Sequence, residues 1–299
     1  MFTLAMANRF DPIFVLDSGL GGLTVVDALR RKLPNERIIY FGDTARLPYG
    51  TKTRETVAGF VRQIVSWGLQ FRPKHVVIAC NTASALALDE TRVAFGRLPV
   101  SGVVQPGAIA AANAVRHLEN PAVGVIATQA TVRCSAYQIA LQEHAPSAVV
   151  LAKATPLLVP IIEEGRRLSD PIVSLALKQY LKPMIARRIQ ALVLGCTHYP
   201  LLAPAIRRVL GEGVAVIDSA SQCARDVAAR LEAADLLAAS PPPADEQLKL
   251  FVTDDPSRFG QLAPRFLGFP VDPPVRVAPE TLYGPVADST QNIGLRRPA

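Results

Sequence analysis

The sequence predicts an α/β protein with mostly parallel sheets, arranged as two similar α/β domains. Three observations carry that prediction. Short β-branched runs alternate with helical patterns through most of the chain, as expected when strands are buried on both faces and joined by crossover helices. The length of 299 residues suits about two domains. Two stretches also echo one another: Val-Ile-Ala-Cys80-Asn-Thr-Ala-Ser and Val-Leu-Gly-Cys196-Thr-His-Tyr-Pro each run an apolar strand into a cysteine, then hydroxyl or amide residues, then a helix.

Taken in order, the apolar runs predict strands over 13–17, 37–41, 75–80, 100–104, 122–128, 149–152, 191–196, 214–218 and 248–253. Helical periodicity fills the intervals, over 22–33, 54–71, 82–95, 108–117, 131–143, 171–186, 200–210, 220–238 and 256–266. The first helix ends in Arg30-Arg31-Lys32, where cations complement the helix dipole. Residues 239–246, with three consecutive prolines, read as a surface loop, and the stretch from Asp288 onward reads as a poorly ordered tail.

Composition narrows the function classes. With 49% hydrophobic and 19% charged residues, the chain is too apolar for a disordered protein. No apolar run approaches the roughly 20 residues that span a bilayer, and Met1 to Pro12 lacks the basic-then-apolar order of a secretory signal, so a cytoplasmic protein without membrane contact is expected. Four cysteines without a C-x-x-C spacing argue against a disulfide framework or a structural zinc site. The net charge of +7 is not gathered into a basic, aromatic-interleaved patch, which speaks against nucleic-acid binding as a main function and suits a small anionic substrate.

In parallel α/β folds ligands sit beyond the carboxyl ends of the strands. Four junctions there carry polar residues: Asp17-Ser18-Gly19-Leu20-Gly21-Gly22, Cys80-Asn81-Thr82, Thr128 with Thr131, and Cys196-Thr197-His198. The first is neither a dinucleotide fingerprint, since Thr24 stands where the third glycine belongs, nor a P-loop. Its glycines serve either a tight turn or backbone N–H groups that face an anion. Either cysteine alone reads as a small packing residue. Together they gain weight, because each sits where a strand meets a helix N-terminus, a position that lowers a thiol pKa. Cys134 and Cys223 fall inside predicted helices and are assigned to packing. His198 can poise Cys196, act as a general acid or satisfy a buried contact. A zinc site from Cys80, Cys196, His198 and Asp17 is chemically possible, but the spacing does not favour it. Tyr49 suits a solvated turn or a substrate clamp equally, and Glu163 reads first as part of an acidic helix face.

Read together, four stretches resemble the glutamate racemase family, within the aspartate/glutamate racemase superfamily. They are Asp17-Ser-Gly-Leu-Gly-Gly-Leu-Thr-Val25, Tyr40-Phe-Gly-Asp-Thr-Ala-Arg-Leu-Pro-Tyr-Gly-Thr-Lys52, Ala79-Cys-Asn-Thr-Ala-Ser84 and Gly195-Cys-Thr-His-Tyr-Pro-Leu-Leu202, with a weaker match at Val252-Thr-Asp-Asp-Pro-Ser-Arg-Phe259. The resemblance implies an active site in the cleft between two domains, 1–98 with 211–299 and 99–210, each giving one thiol. It implies catalytic roles for Cys80 and Cys196, with Asp17 and His198 as their polar partners and Glu163 near the second thiol. Ser18, Tyr49, Gly50, Asn81, Thr82 and Thr197 match substrate-binding positions, and Thr128 and Thr131 match a pair associated with the substrate carboxylate. Asp17 and His198 also fall among the substrate contacts. Ala127 and Thr155 depart from the family's usual glycine and cysteine.

The implied reaction is cofactor-independent racemisation of glutamate, supplying D-glutamate for peptidoglycan, by a homodimer. Racemisation removes a proton from one face of Cα and returns one to the other, so it needs two acid/base groups flanking a planar intermediate. Two thiols meet that need without pyridoxal phosphate. Competing readings are a racemase acting on aspartate and a protein that only binds an anion or nucleic acid.

Overall fold

Runs that are apolar on both faces become the inner strands of two parallel sheets in the computed structural model, which describes residues 7–283. The chain passes through β1 (Ile13–Asp17), α1 (Leu23–Lys32), β2 (Ile38–Gly42), α2 (Arg54–Gly68), β3 (His75–Ile78), α3 (Asn81–Phe95) and β4 (Val100–Gly102). It continues with α4 (Val104–Val115), β5 (Ala122–Ala127), α5 (Gln129–Arg133), α6 (Ala136–His144), β6 (Val149–Ala154) and α7 (Leu158–Glu163). Next come α8 (Pro171–Ala186), β7 (Ala191–Gly195), α9 (Ala203–Leu210) and β8 (Ala215–Asp218). Then follow α10 (Ser219–Ala233), β9 (Leu248–Val252), α11 (Pro256–Leu262), α12 (Pro264–Leu267) and β10 (Val275–Arg276).

One sheet runs β10-β9-β2-β1-β3-β4 and the other β6-β5-β7-β8, with every pairing among the described residues parallel. Of the inner strands, β1, β2, β3, β5 and β7 are buried along their length, as uninterrupted apolar runs demand, and β9 over its last three residues. The buried apolar residues form separate clusters, and one of them spans both lobes, taking in Leu23 and Val25 from one and Leu158 and Leu194 from the other.

Sheet membership differs from a chain cut after 98 and after 210. Strand β4 pairs with β3, and β8 pairs with β7, so each such cut would separate a strand from its sheet. The chain crosses between lobes just after β4 and just after β8.

Several elements depart from the sequence reading. The strand expected to reach Cys80 stops at Ile78, and Cys80 instead caps α3. The helix expected over 131–143 is two helices, because Ser135 takes φ 56° and breaks the run. Cys134 therefore sits at the end of α5, partly exposed, and not inside a helix; Cys223 does lie buried within α10. Pro264 similarly divides 256–266 into α11 and α12. Helix α7 and strand β10 were not anticipated, being only six and two residues long. The tail from Asp288 lies outside the described residues. Among the described residues no helix is long and apolar enough to cross a membrane.

Candidate active site

The carboxyl ends of the two sheets face each other across one cavity of about 370 Å³. Ser18, Tyr49, Gly50, Cys80, Asn81 and Thr82 reach it from the first lobe, and Thr128, Glu163, Cys196, Thr197 and His198 from the second. Asp17 and Thr131, both 1% exposed, stand behind this lining.

Cys80 follows β3 and accepts the Ala83 N–H at 3.5 Å, while its thiol donates to Ser18 Oγ at 3.6 Å. Burial, and then the nearby Asp17 carboxylate, push the Cys80 thiol up to about 12. This corrects the expectation of a lowered pKa, since desolvation outweighs the helix N-terminus. Asp17 accepts the Gly19 N–H at 2.8 Å through Oδ2, whereas its Oδ1 is buried without a partner. Burial raises the Asp17 carboxyl above the usual carboxylate range, against the pull of the Gly19 and Gly22 N–H groups and of His198. Asp17 thus reaches Cys80 through its charge, and the hydroxyl that touches the thiol belongs to Ser18.

The second thiol has a different setting. Cys196 Sγ lies 3.9 Å from His198 Nδ1, and His198 Nε2 donates to Glu163 Oε1 at 2.9 Å. Burial works against a charge on His198, but its hydrogen bonds to Cys196 and Glu163 outweigh that and raise it to about 10. The bond from His198, more than any other influence, holds the Glu163 carboxyl below its ordinary value. Glu163 is therefore no mere surface acid: α7 ends with it facing His198.

Thr82 Oγ1 lies 2.8 Å from Thr128 Oγ1 and 3.3 Å from Thr131 Oγ1, so one hydroxyl cluster spans both lobes. Tyr49 is 1% exposed, which removes the solvated-turn reading, and its hydroxyl donates to the Asp43 carboxylate that also holds Arg46.

The glycines serve close approach. A Cβ on Gly21 would overlap Thr197 Oγ1 and His198 Nδ1, and one on Gly50 would come within 2.9 Å of Thr128 Cβ. The N–H groups of the first junction do face an anion, but it is the protein's own Asp17.

Sequence reasoning passed over several wall residues. Thr155, noted only as a departure, is fully buried with Oγ1 2.7 Å from Tyr199 OH, and both line the cavity. Tyr199 stands one residue beyond His198, so its place in the same junction was an available signal. Leu47, Pro156 and Val159 supply apolar wall; Leu47 lies within the 40–52 stretch that carries the resemblance, and none of the three has a polar group that would single it out. Buried hydroxyls around a cavity lined by two thiols from different sheets suit proton transfer at a carbon next to a carboxylate.

The profile of a family described as Asp/Glu/Hydantoin racemase matches residues 23–227. A glutamate racemase of Neisseria meningitidis serogroup A is 46% identical over 261 residues, covering 87% of this chain and 94% of the relative. One from Microcystis aeruginosa is 42% identical over 262 residues, covering 88% and 89%. The crystal structure of glutamate racemase from Francisella tularensis in complex with D-glutamate superimposes with a TM-score of 0.82 at 38% identity, covering 90% of this chain and 98% of that one.

Proposed function

The chain belongs to the Asp/Glu/Hydantoin racemase family, and we propose that it interconverts L- and D-glutamate by passing protons between its cavity's two thiols and the substrate Cα. The observation that carries this reading is the arrival of Cys80 and Cys196 at one cavity from different sheets. In the L-to-D direction Cys196 as thiolate takes the Cα proton, and the Cys80 thiol, held protonated by burial, delivers one to the opposite face. The D-to-L direction reverses the two roles.

Each thiol has its own auxiliaries. Asp17 and Ser18 tune Cys80, while His198, oriented by Glu163, supplies or receives the proton that resets Cys196. The carbanion is stabilised by donors already in place around the carboxylates: the hydroxyls of Ser18, Thr82, Thr128 and Thr197, with Thr131 behind them and Asn81, Tyr49 and Gly50 completing the wall. The thiols supply both acid and base, so the scheme calls for no cofactor.

We take the lobes to divide where the sheets divide, after β4 and after β8. The working form is a cytoplasmic homodimer, and its product, D-glutamate, feeds peptidoglycan synthesis. The enzyme in heavy water is expected to incorporate deuterium at Cα of glutamate without added cofactor, and folded protein that exchanges nothing would overturn the reading. Cys80→Ser and Cys196→Ser should each lower turnover of both enantiomers by at least about a hundredfold; near-normal rates in either would exclude the paired mechanism.

A further inference from the structure

A buried hydrogen-bond chain joins the elements that carry the two thiols. It starts at Asn81, the residue after Cys80, whose Nδ2 donates to Tyr137 OH at 2.7 Å. Tyr137, on α6 of the second lobe, lies 2.9 Å from Ser219 Oγ, and Ser219 donates to the Leu194 carbonyl at 3.3 Å. Leu194 is two residues before Cys196, and Ser219 begins α10, where the chain crosses back to the first lobe. Tyr137, Ser219 and Asn81 are 1%, 3% and 3% exposed.

The polarity of this chain is not free. A backbone carbonyl only accepts, so the single Ser219 hydroxyl proton points to Leu194 and Ser219 Oγ must accept from Tyr137. Tyr137 has then used its proton, and its oxygen accepts from Asn81. The Asn81 amide is thereby held with its NH2 group on Tyr137. Its Oδ1 is left buried with no protein partner, on a residue that lines the cavity. An unpaired buried acceptor is costly, and the substrate brings the matching donor, an α-ammonium group.

We propose that Tyr137 and Ser219 are positioning residues, which fix the Asn81 amide so that its carbonyl oxygen receives the ammonium group of the amino-acid substrate. The assignment rests on the racemase reading above. Tyr137 and Ser219 touch no substrate in this arrangement; they act through Asn81 and lock its orientation to the strand that leads to Cys196.

A double-mutant cycle on the full chain tests it. Ser219→Ala frees the Tyr137 proton to point at Asn81, and Tyr137→Phe removes the link outright, so either change allows the amide to turn over. Each variant should raise KM for L- and D-glutamate by about tenfold with kcat within about threefold of wild type, because the contact is held equally in ground and transition states. The double variant should be no worse than either single, since both break one chain. Folded single variants with wild-type KM would overturn the proposal, as would a double variant whose KM rises by the product of the two effects. If Tyr137→Phe does not fold, Ser219→Ala decides alone, because it lies outside the cavity lining: an unchanged KM overturns the proposal and a raised one supports it. A wild-type protein inactive on glutamate would instead defeat the racemase reading, which keeps the two failures distinct.

Discussion

At the residue scale, a thiol that ends an apolar strand and opens a helix is pulled two ways. The helix N-terminus favours thiolate, and burial favours thiol. At Cys80 burial wins and the Asp17 carboxylate adds to it. Near Cys196 the matching imidazole is held as a cation by its bonds to Cys196 and Glu163, so the two halves of the site differ in charge as well as in lobe. This asymmetry yields a prediction for Glu163→Gln. Removing the carboxylate lowers the His198 pKa from about 10, so the alkaline limb of the pH–rate profile should move to lower pH. The value of kcat/KM should fall by about tenfold or more. It must fall equally for both enantiomers, whose equilibrium constant is one. An unmoved alkaline limb would separate Glu163 from the protonation of His198.

At the element scale, the strand-to-helix junctions act as lobe contacts as much as ligand sites. Gly21 has no room for a side chain against Thr197 and His198, which belong to the other sheet's junction. Gly21→Ala should therefore displace His198 or part the lobes, cutting kcat/KM by about a hundredfold or more. Gly59 is the internal control: it lies within α2 with nothing within 4 Å of an added Cβ. Gly59→Ala should leave activity unchanged and stabilise by about 0.5–1 kcal/mol, read from urea unfolding. Comparable kinetic losses in the two variants would remove the case for a special contact at Gly21. Much at this scale is legible from sequence, because an apolar run followed by a polar junction is a local pattern. The short helix α7 is not, because Pro160 and a length of six residues hide its periodicity; local pattern alone gives Glu163 as part of an acidic helix face, and only the family resemblance puts it near the second thiol.

At the scale of the whole molecule, buried polar groups tie distant segments together at the ends of the sheets away from the cavity. Lys74 pairs with Glu36 at 2.5 Å and also donates to the carbonyls of Arg9 and Leu236. His75 Nε2 lies 3.0 Å from Ser101 Oγ, which donates to Asp226 on α10 at 3.2 Å. Burial, with Arg230 adding to it, lowers the His75 pKa from 6.5 to about 4. A histidine whose folded pKa is depressed takes up its proton preferentially on unfolding. Stability from this group is thus present above pH 6.5 and is lost as pH falls toward 4, by up to about 3 kcal/mol. His75→Gln should flatten that part of the unfolding free energy between pH 7 and pH 4.5; identical slopes in mutant and wild type would contradict the assignment.

What the sequence determined by itself were the features written in local pattern. These are the parallel α/β class, the position of most strands, and the gathering of Asp17, Cys80, Thr128 and Cys196 at strand ends, where such folds hold their ligands. Tertiary structure alone decided which sheet each strand joins, sending β4 to the first and β8 to the second. It also decided that Cys80 rests as a thiol and that Tyr137, with no motif of its own, holds Asn81 in one orientation. The physical reason is common to these cases. Strand choice, desolvation and hydrogen-bond polarity are set by groups far apart in the chain, such as Asn81 and Ser219, and no local run of residues records them.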